Sequence, residues 1–116
     1  MAITYILMFE PQAVPNTDLV LYTVPGPPTM PAQTIMKSAR IRLANTTGSA
    51  ATATMNIVKP TGSVGSGNIA LPAVTVNPND YLDVDVPDML AGYTLHITSG
   101  TANALTVSQL DGFLKS

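Results

Sequence analysis

The sequence predicts an all-β chain, an antiparallel β-sandwich or jelly roll of about eight short strands. Three observations lead there. Short runs rich in Val, Ile, Thr and Tyr recur along the chain. Several of them alternate apolar and polar side chains with the period of two that a half-buried strand requires. Clusters of Pro, Gly, Asn and Asp separate them at roughly 8–12-residue intervals, the rhythm of two packed antiparallel sheets. No segment carries a persuasive amphipathic-helix period, and strand order is not readable from pattern alone.

The elements follow in order. Ile3 to Phe9 is β-branched and aromatic and is stopped by Pro11 and Pro15. It lacks a basic leader, so a strand is the simpler reading than a signal peptide. Leu19 to Val24 forms a second strand, ended by the Pro25–Pro28 turn, which lacks most ladder donors. Ile35 to Ala44 alternates, with Ile35, Ala39, Ile41 and Leu43 expected inward and Met36, Ser38, Arg40 and Arg42 outward. Asn45 to Ser49 is a hairpin turn in which Gly48 is expected to take a special φ. Ala51 to Val58 then points Ala51, Ala53, Met55 and Ile57 one way and Thr52, Thr54 and Asn56 the other.

Lys59 to Asn68 is a glycine-rich loop. It lacks the strand, spacing and following helix of a phosphate cradle. Ile69 to Val76 is a strand interrupted by Pro72, and Asn77 to Asp80 is a turn. Tyr81 to Val86 directs Leu82, Val84 and Val86 inward and Asp83 and Asp85 outward, before a turn at Asp88 to Gly92. Tyr93 to Thr98 places Tyr93, Leu95 and Ile97 inward and Thr94, His96 and Thr98 outward. Ala104 to Leu110 is the last clear strand, with the tail from Asp111 to Ser116 extending it or docking on a neighbour.

The length of 116 residues suits a single domain over 1–116 with one modest core. The N-terminal segment 1–15 and the C-terminal segment 111–116 are candidates to dock on neighbouring subunits. Only 10% of residues are charged and 46% are hydrophobic. With charge this sparse against the usual quarter of a soluble domain, part of the apolar surface is expected to face a partner. Arg40 and Arg42 are the only close basic pair, too little to track a phosphate backbone, so nucleic acid is not an expected partner. No apolar run is long enough for a membrane-spanning helix, so no membrane partner is expected. Without cysteine, disulfide and thiolate chemistry are ruled out.

Candidate chemistry is thin. His96 is the only histidine, and a catalytic role would need a cleft joining it to an aspartate. Asp80, Asp83, Asp85 and Asp88 offer hard oxygen ligands suited to calcium, but without EF-hand or nonapeptide spacing. They better suit a solvated face that blocks edge pairing, or ion pairs with Arg40 and Arg42 across a sheet or subunit boundary. No G-x-S-x-G elbow is present. Tyr5, Tyr22, Tyr81 and Tyr93 are scattered, a weak basis for a glycan platform. No residue is assigned as catalytic, cofactor-binding or metal-ligating, and the chain is read as a non-enzyme.

The segment Leu21 to Val58 resembles the opening of small β-sandwich structural proteins of tailed bacteriophages. Tyr22-Thr23-Val24-Pro25 resembles their strand end, and Ile41 through Ser49 (IRLANTTGS) their strand and hairpin turn. Val76-Asn77-Pro78-Asn79-Asp80 and Ala91-Gly92-Tyr93-Thr94-Leu95 are similar to a later turn and strand start. The similarity covers most of residues 19–108. The chain departs from the pattern at the long proline-rich Pro25–Thr34 connection, at Asn79 where the family has glycine, and at Tyr93 where it has an acid.

The resemblance implies a virion component, of the decoration, fibre, neck or tail type. The first expectation is a capsid decoration (cement) protein on the outer surface of the phage head, assembled in the host cytoplasm. Its expected partners are the major capsid protein or other virion proteins, and its own copies in a homodimer or homotrimer. Candidate contact segments are Ile3–Phe9, Pro25–Pro31 and Phe113–Leu114. A fibre, neck or tail-associated module, and a glycan-binding surface module, are the alternatives.

Overall fold

The computed structural model describes residues 2–116. Among them are ten strand segments: β1 Ile3–Tyr5, β2 Gln12–Ala13, β3 Leu19–Thr23, β4 Ile35–Asn45, β5 Ala51–Val58, β6 Ile69–Val76, β7 Asp80–Asp85, β8 Met89–Leu90, β9 Thr94–Ser99 and β10 Leu105–Lys115. The remaining regular element is one 3₁₀ turn, Ser66–Asn68. The larger sheet runs β1-β10-β4-β7, with β2 also on β10 and β8 also on β4; the smaller runs β3-β9-β5-β6.

These segments make eight rows, because β1 and β2 line the same edge of β10 and β7 and β8 the same edge of β4. Numbered along the chain, the rows pair first with eighth, second with seventh, third with sixth and fourth with fifth, all antiparallel. That is one long hairpin, its tip at the Lys59–Asn68 loop, rolled so that β10 meets β4 and β9 meets β5. The fold is a jelly roll. Ile41, Leu43, Leu105 and Val107 of the larger sheet and Met55, Leu95 and Ile97 of the smaller are fully buried between the layers.

β4 and β10 are each eleven residues long and pair along their whole length, with two offsetting bulges. β10 gains a residue between Gln109 and Asp111, and β4 gains one between Lys37 and Arg40. Ser38 supplies the second with a left-handed φ of 56°, and Gly112 opposite it has φ 151°. L side chains rarely adopt such a φ, so the backbone at this crossing favours glycine, although a Cβ on Gly112 would meet only Gln109 Nε2 at 3.2 Å and Ala39 Cα at 3.5 Å. The β4 bulge corrects the expected faces. Met36 is buried, in a row with Leu114 and Met89, whereas Ile35 is only half-buried and faces outward. A period of two cannot be carried through an inserted residue.

Other expectations change for similarly local reasons. Of Ile3–Phe9, only Ile3–Tyr5 pairs as a strand. The chain then leaves β10 beside its bulge, and Gln109 holds it by side chain, accepting from Met8 N–H (2.6 Å) and donating to the Ile6 carbonyl (2.9 Å). Met89 and Leu90, expected in a turn, pair with the stretch of β4 that β7 leaves uncovered. The tail continues β10 as far as Lys115. Asn56, expected outward to solvent, is buried and donates to Gly65 O and Asn68 Oδ1, which fastens the glycine-rich loop over it. Pro72 sits in the irregular middle of β6, an edge strand, where no ladder donor is lost to a neighbour.

The Asn45–Ser49 turn is organised by Asn45 rather than Gly48. Buried Asn45 donates to Ser49 O (2.8 Å) and Val76 O (3.1 Å), and its Oδ1 accepts from Thr47 N–H (3.0 Å). Gly48 has no left-handed φ, and a Cβ there would meet nothing. Asn79 has φ 53°, so asparagine, which tolerates this conformation best among side-chain-bearing residues, stands where the resembling pattern has glycine.

Asn45→Ala, which strands the Val76 carbonyl and the Thr47 amide, is expected to cost about 1–3 kcal/mol by urea denaturation. Gly48→Ala is expected to stay within about 0.5 kcal/mol. In the same assay Met36→Ala should cost about 2–5 kcal/mol and Ile35→Ala less than about 1 kcal/mol; the reverse order would refute the bulged register.

Candidate functional site: the outer face of the larger sheet

Cross-strand register carries the outward residues of the larger sheet into rows. At the end where β4 begins, one row runs Ile3, Lys115, Ile35, Leu90 across four strands. The next runs Tyr5, Phe113, Lys37, and Lys37 reaches Asp88 at 3.1 Å. The Tyr5 and Phe113 rings are 5.8 Å apart and inclined by 60°, a favourable aromatic geometry. Ile3, Tyr5 and Leu90 remain 54%, 78% and 52% exposed, so this end is an apolar patch open to solvent. The Pro25–Pro31 loop borders it, since Gly26 packs beside Ala91, the residue after Leu90.

The other end of the same face is ionic. β4 supplies Arg40 and Arg42, and β7 supplies Asp85 and Asp83 directly opposite. Arg42 forks onto Asp83, with Nε–Oδ1 at 2.7 Å and Nη2–Oδ2 at 3.0 Å, and its guanidinium carbon lies 4.2 Å from the Tyr81 ring centroid. Arg40 Nε meets Asp85 at 3.0 Å. The Arg42 hydrogen bonds, joined by the charges of Arg42 and Arg40 and opposed by partial burial, hold the Asp83 carboxyl below the usual carboxylate range. The same contact pushes the Arg42 guanidinium up. Asp80 stands apart at the start of β7, capping the Tyr81 amide. The four aspartates are therefore not gathered: three take cations from β4. No group of three or more His, Asp or Glu that could hold a metal occurs among the described residues.

The smaller sheet holds the constellation that enzyme chemistry would need first. His96 Nδ1 lies 2.8 Å from Asp18 and its Nε2 lies 2.8 Å from the Thr94 hydroxyl. Carboxylate, imidazole and hydroxyl thus stand in the order of a nucleophilic triad. The surroundings do not complete it. β9 is an interior strand between β3 and β5, so its amides are committed to ladder bonds and none is aimed at a developing oxyanion. The contact fastens the chain entering β3 to β9. Asp18 lies 78 residues from His96, a separation at which no local pattern could have signalled the pair.

An open groove of about 380 Å³ lies beside the glycine-rich loop, lined by Ile57, Lys59, Ser63, Asn68 and Tyr93. The loop leads through its 3₁₀ turn directly into strand β6 rather than into a helix, so its amides are not presented as a phosphate cradle. Tyr5 and Tyr81 are the exposed tyrosines, and they stand at opposite ends of the larger sheet's outer face. Tyr22 and Tyr93 are half-buried.

No protein-family model matches the chain, and no curated protein matches it. Among solved structures it is similar to the Tobacco streak virus coat protein, at 13% identity and a TM-score of 0.45, over 99% of this chain and 85% of that one.

Of the three contact segments expected from sequence, the N-terminal and C-terminal ones meet on one face, through Ile3, Tyr5 and Phe113, and the Pro25–Pro31 loop rims it. Leu114 turns inward and is buried. Ile35 and Leu90 complete the patch and were not foreseen, because both signals depend on the bulged register.

Because Asp83 is more acidic folded than unfolded, its contribution to stability is fully present above the ordinary carboxylate value of about 3.9 and is lost as pH falls through the folded value. The stability gap between wild type and Asp83→Asn, measured by urea denaturation, should therefore be present at pH 7 and shrink below about pH 4. The gap should be small, because the pair is partly exposed.

Proposed function

We propose that this chain is a virion structural protein, acting as a capsid decoration protein on the outer surface of a phage head. The observation that carries the reading is the solvent-open patch of Ile3, Tyr5, Ile35, Leu90 and Phe113 on a face whose other end holds the Arg40–Asp85 and Arg42–Asp83 pairs. Apolar side chains also stand exposed away from this patch, Val20 on β3, Val64 in the loop and Ile69 on β6. A clamp between lattice subunits needs contacts on more than one side. Repetition along the lattice then raises occupancy without any single strong contact.

The resemblance to phage structural proteins supports the same reading. Two of its turn positions have physical roles here: Asn45 organises the hairpin turn and Asn79 takes the left-handed backbone. The partner would be the major capsid protein or another virion protein. Binding only the assembled shell stabilises it by mass action. Assembly would take place in the host cytoplasm. A glycan-binding role draws no support from Tyr5 and Tyr81, which form no common platform.

The reading is tested on particles purified from the producing host, by quantitative mass spectrometry and imaging with a label on this chain. Hundreds of copies on the head, and heads that disrupt at lower temperature when the chain is omitted, are the expected results. A handful of copies, or label confined to a tail or fibre, would overturn the decoration role; absence from particles would overturn the virion role.

A further inference from the structure

We propose that the outer face of the larger sheet is a two-fold interface with a second copy of this chain, the axis running parallel to the strands between β10 and β4. The proposal is independent of the virion reading, since it concerns the purified chain alone.

Size is the first argument. Four rows at about 4.8 Å spacing and eleven residues of β4 at about 3.3 Å rise give a face of about 19 Å by about 36 Å. That is about 700 Å² per copy, close to the roughly 800 Å² per partner of a standard stable interface. The face also offers an apolar patch at one end and paired charge at the other, so a partner laid over it buries both apolar and polar surface.

Self-complementarity is the second. An axis between β10 and β4 lays each strand of that central pair over the other's copy and each edge over the opposite edge. Residues then meet the copies of their own cross-strand neighbours. Leu90 falls on the partner's Ile3, and Ile35 on the stem of the partner's Lys115. Lys37 falls on the ring of the partner's Phe113, a cation–π contact, and Asp88 comes beside the partner's Tyr5. Arg40 falls on the partner's Asp111, and Arg42 on the partner's Ser108. No cation is set on a cation, although four of the chain's five basic residues, Lys37, Arg40, Arg42 and Lys115, lie on this face. The geometry is isologous, so one patch serves both copies and the assembly closes at two. The usual rotation of about 30° between packed sheets divides evenly about such an axis.

Two measurements on the purified chain test this. Sedimentation equilibrium at micromolar concentration should give a dimer, and Leu90→Arg, at an exposed position, should weaken it at least about tenfold while the far-ultraviolet circular dichroism stays unchanged. The second uses the absence of native cysteine. Ile3 and Leu90 lie on opposite edges of one sheet, three strand spacings or about 14 Å apart, too far for an internal disulfide. Facing sheets pack about 10 Å apart, so an Ile3→Cys/Leu90→Cys chain should be joined into a covalent dimer by a bifunctional thiol reagent with a spacer of about 6 Å, too short to bridge the internal pair, and Val20→Cys on the smaller sheet should not. A monomer, a trimer, or a dimer that crosslinks through Val20→Cys and not through the first pair would overturn the proposal.

Discussion

The pairing of β4 with β10 is the constraint from which the rest of the molecule takes its geometry. These strands come from residues 35–45 and 105–115, so their contact brings together residues from 60 to 80 positions apart in the chain. It is also the seam where the rolled hairpin meets its own other side. Every other row of the larger sheet hangs on one of the two. Each strand carries one inserted residue, and the two insertions cancel, so the register before and after them is the same. With only one present, the pairing beyond it would be shifted by one residue, and side chains of the same face would no longer share a row. Instead Met36, Leu114 and Met89 close the core at one end while Ile35, Phe113, Tyr5 and Leu90 are turned out.

That inversion ties fold to function. The core takes the unbranched, adaptable methionines, which fill the irregular volume beside a bulge. The outward row receives isoleucine, leucine and aromatic residues that no part of the same chain covers. The ion pairs at the other end are partly exposed and add little to stability. On the proposed reading their value lies in orientation, because a column of cations beside a column of anions accepts a partner in one register and repels it in others. His96 and Thr94 sit on an interior strand and tie it to Asp18 at the entry to β3, and Asp83 and Asp85 of β7 are occupied by arginines.

Much of the fold was legible from residues. β5 and β6 occur over the predicted spans, and Leu95, Ile97, Leu105 and Val107 point inward as alternation requires. Alternation failed where an inserted residue broke it, at Ser38, and where a loop folded back over a strand, at Asn56. Glycine misled at Gly48, since an asparagine side chain made the turn instead. Row order was beyond any local signal, being set by contacts between distant segments. The site was half legible. The flagged termini and the Arg–Asp pairing were visible as composition and spacing, but their convergence on one face with Ile35 and Leu90 required the bulged register.

The central claim is that this face works by contact. Hydroxyl-radical footprinting, read by mass spectrometry on the chain free in dilute solution and in its assembled state, tests it directly. Tyr5, Phe113 and Leu90 should be reactive when free and strongly protected on assembly. Unchanged reactivity at Tyr5, Phe113 and Leu90, with protection confined to Val20 or to the glycine-rich loop, would contradict it.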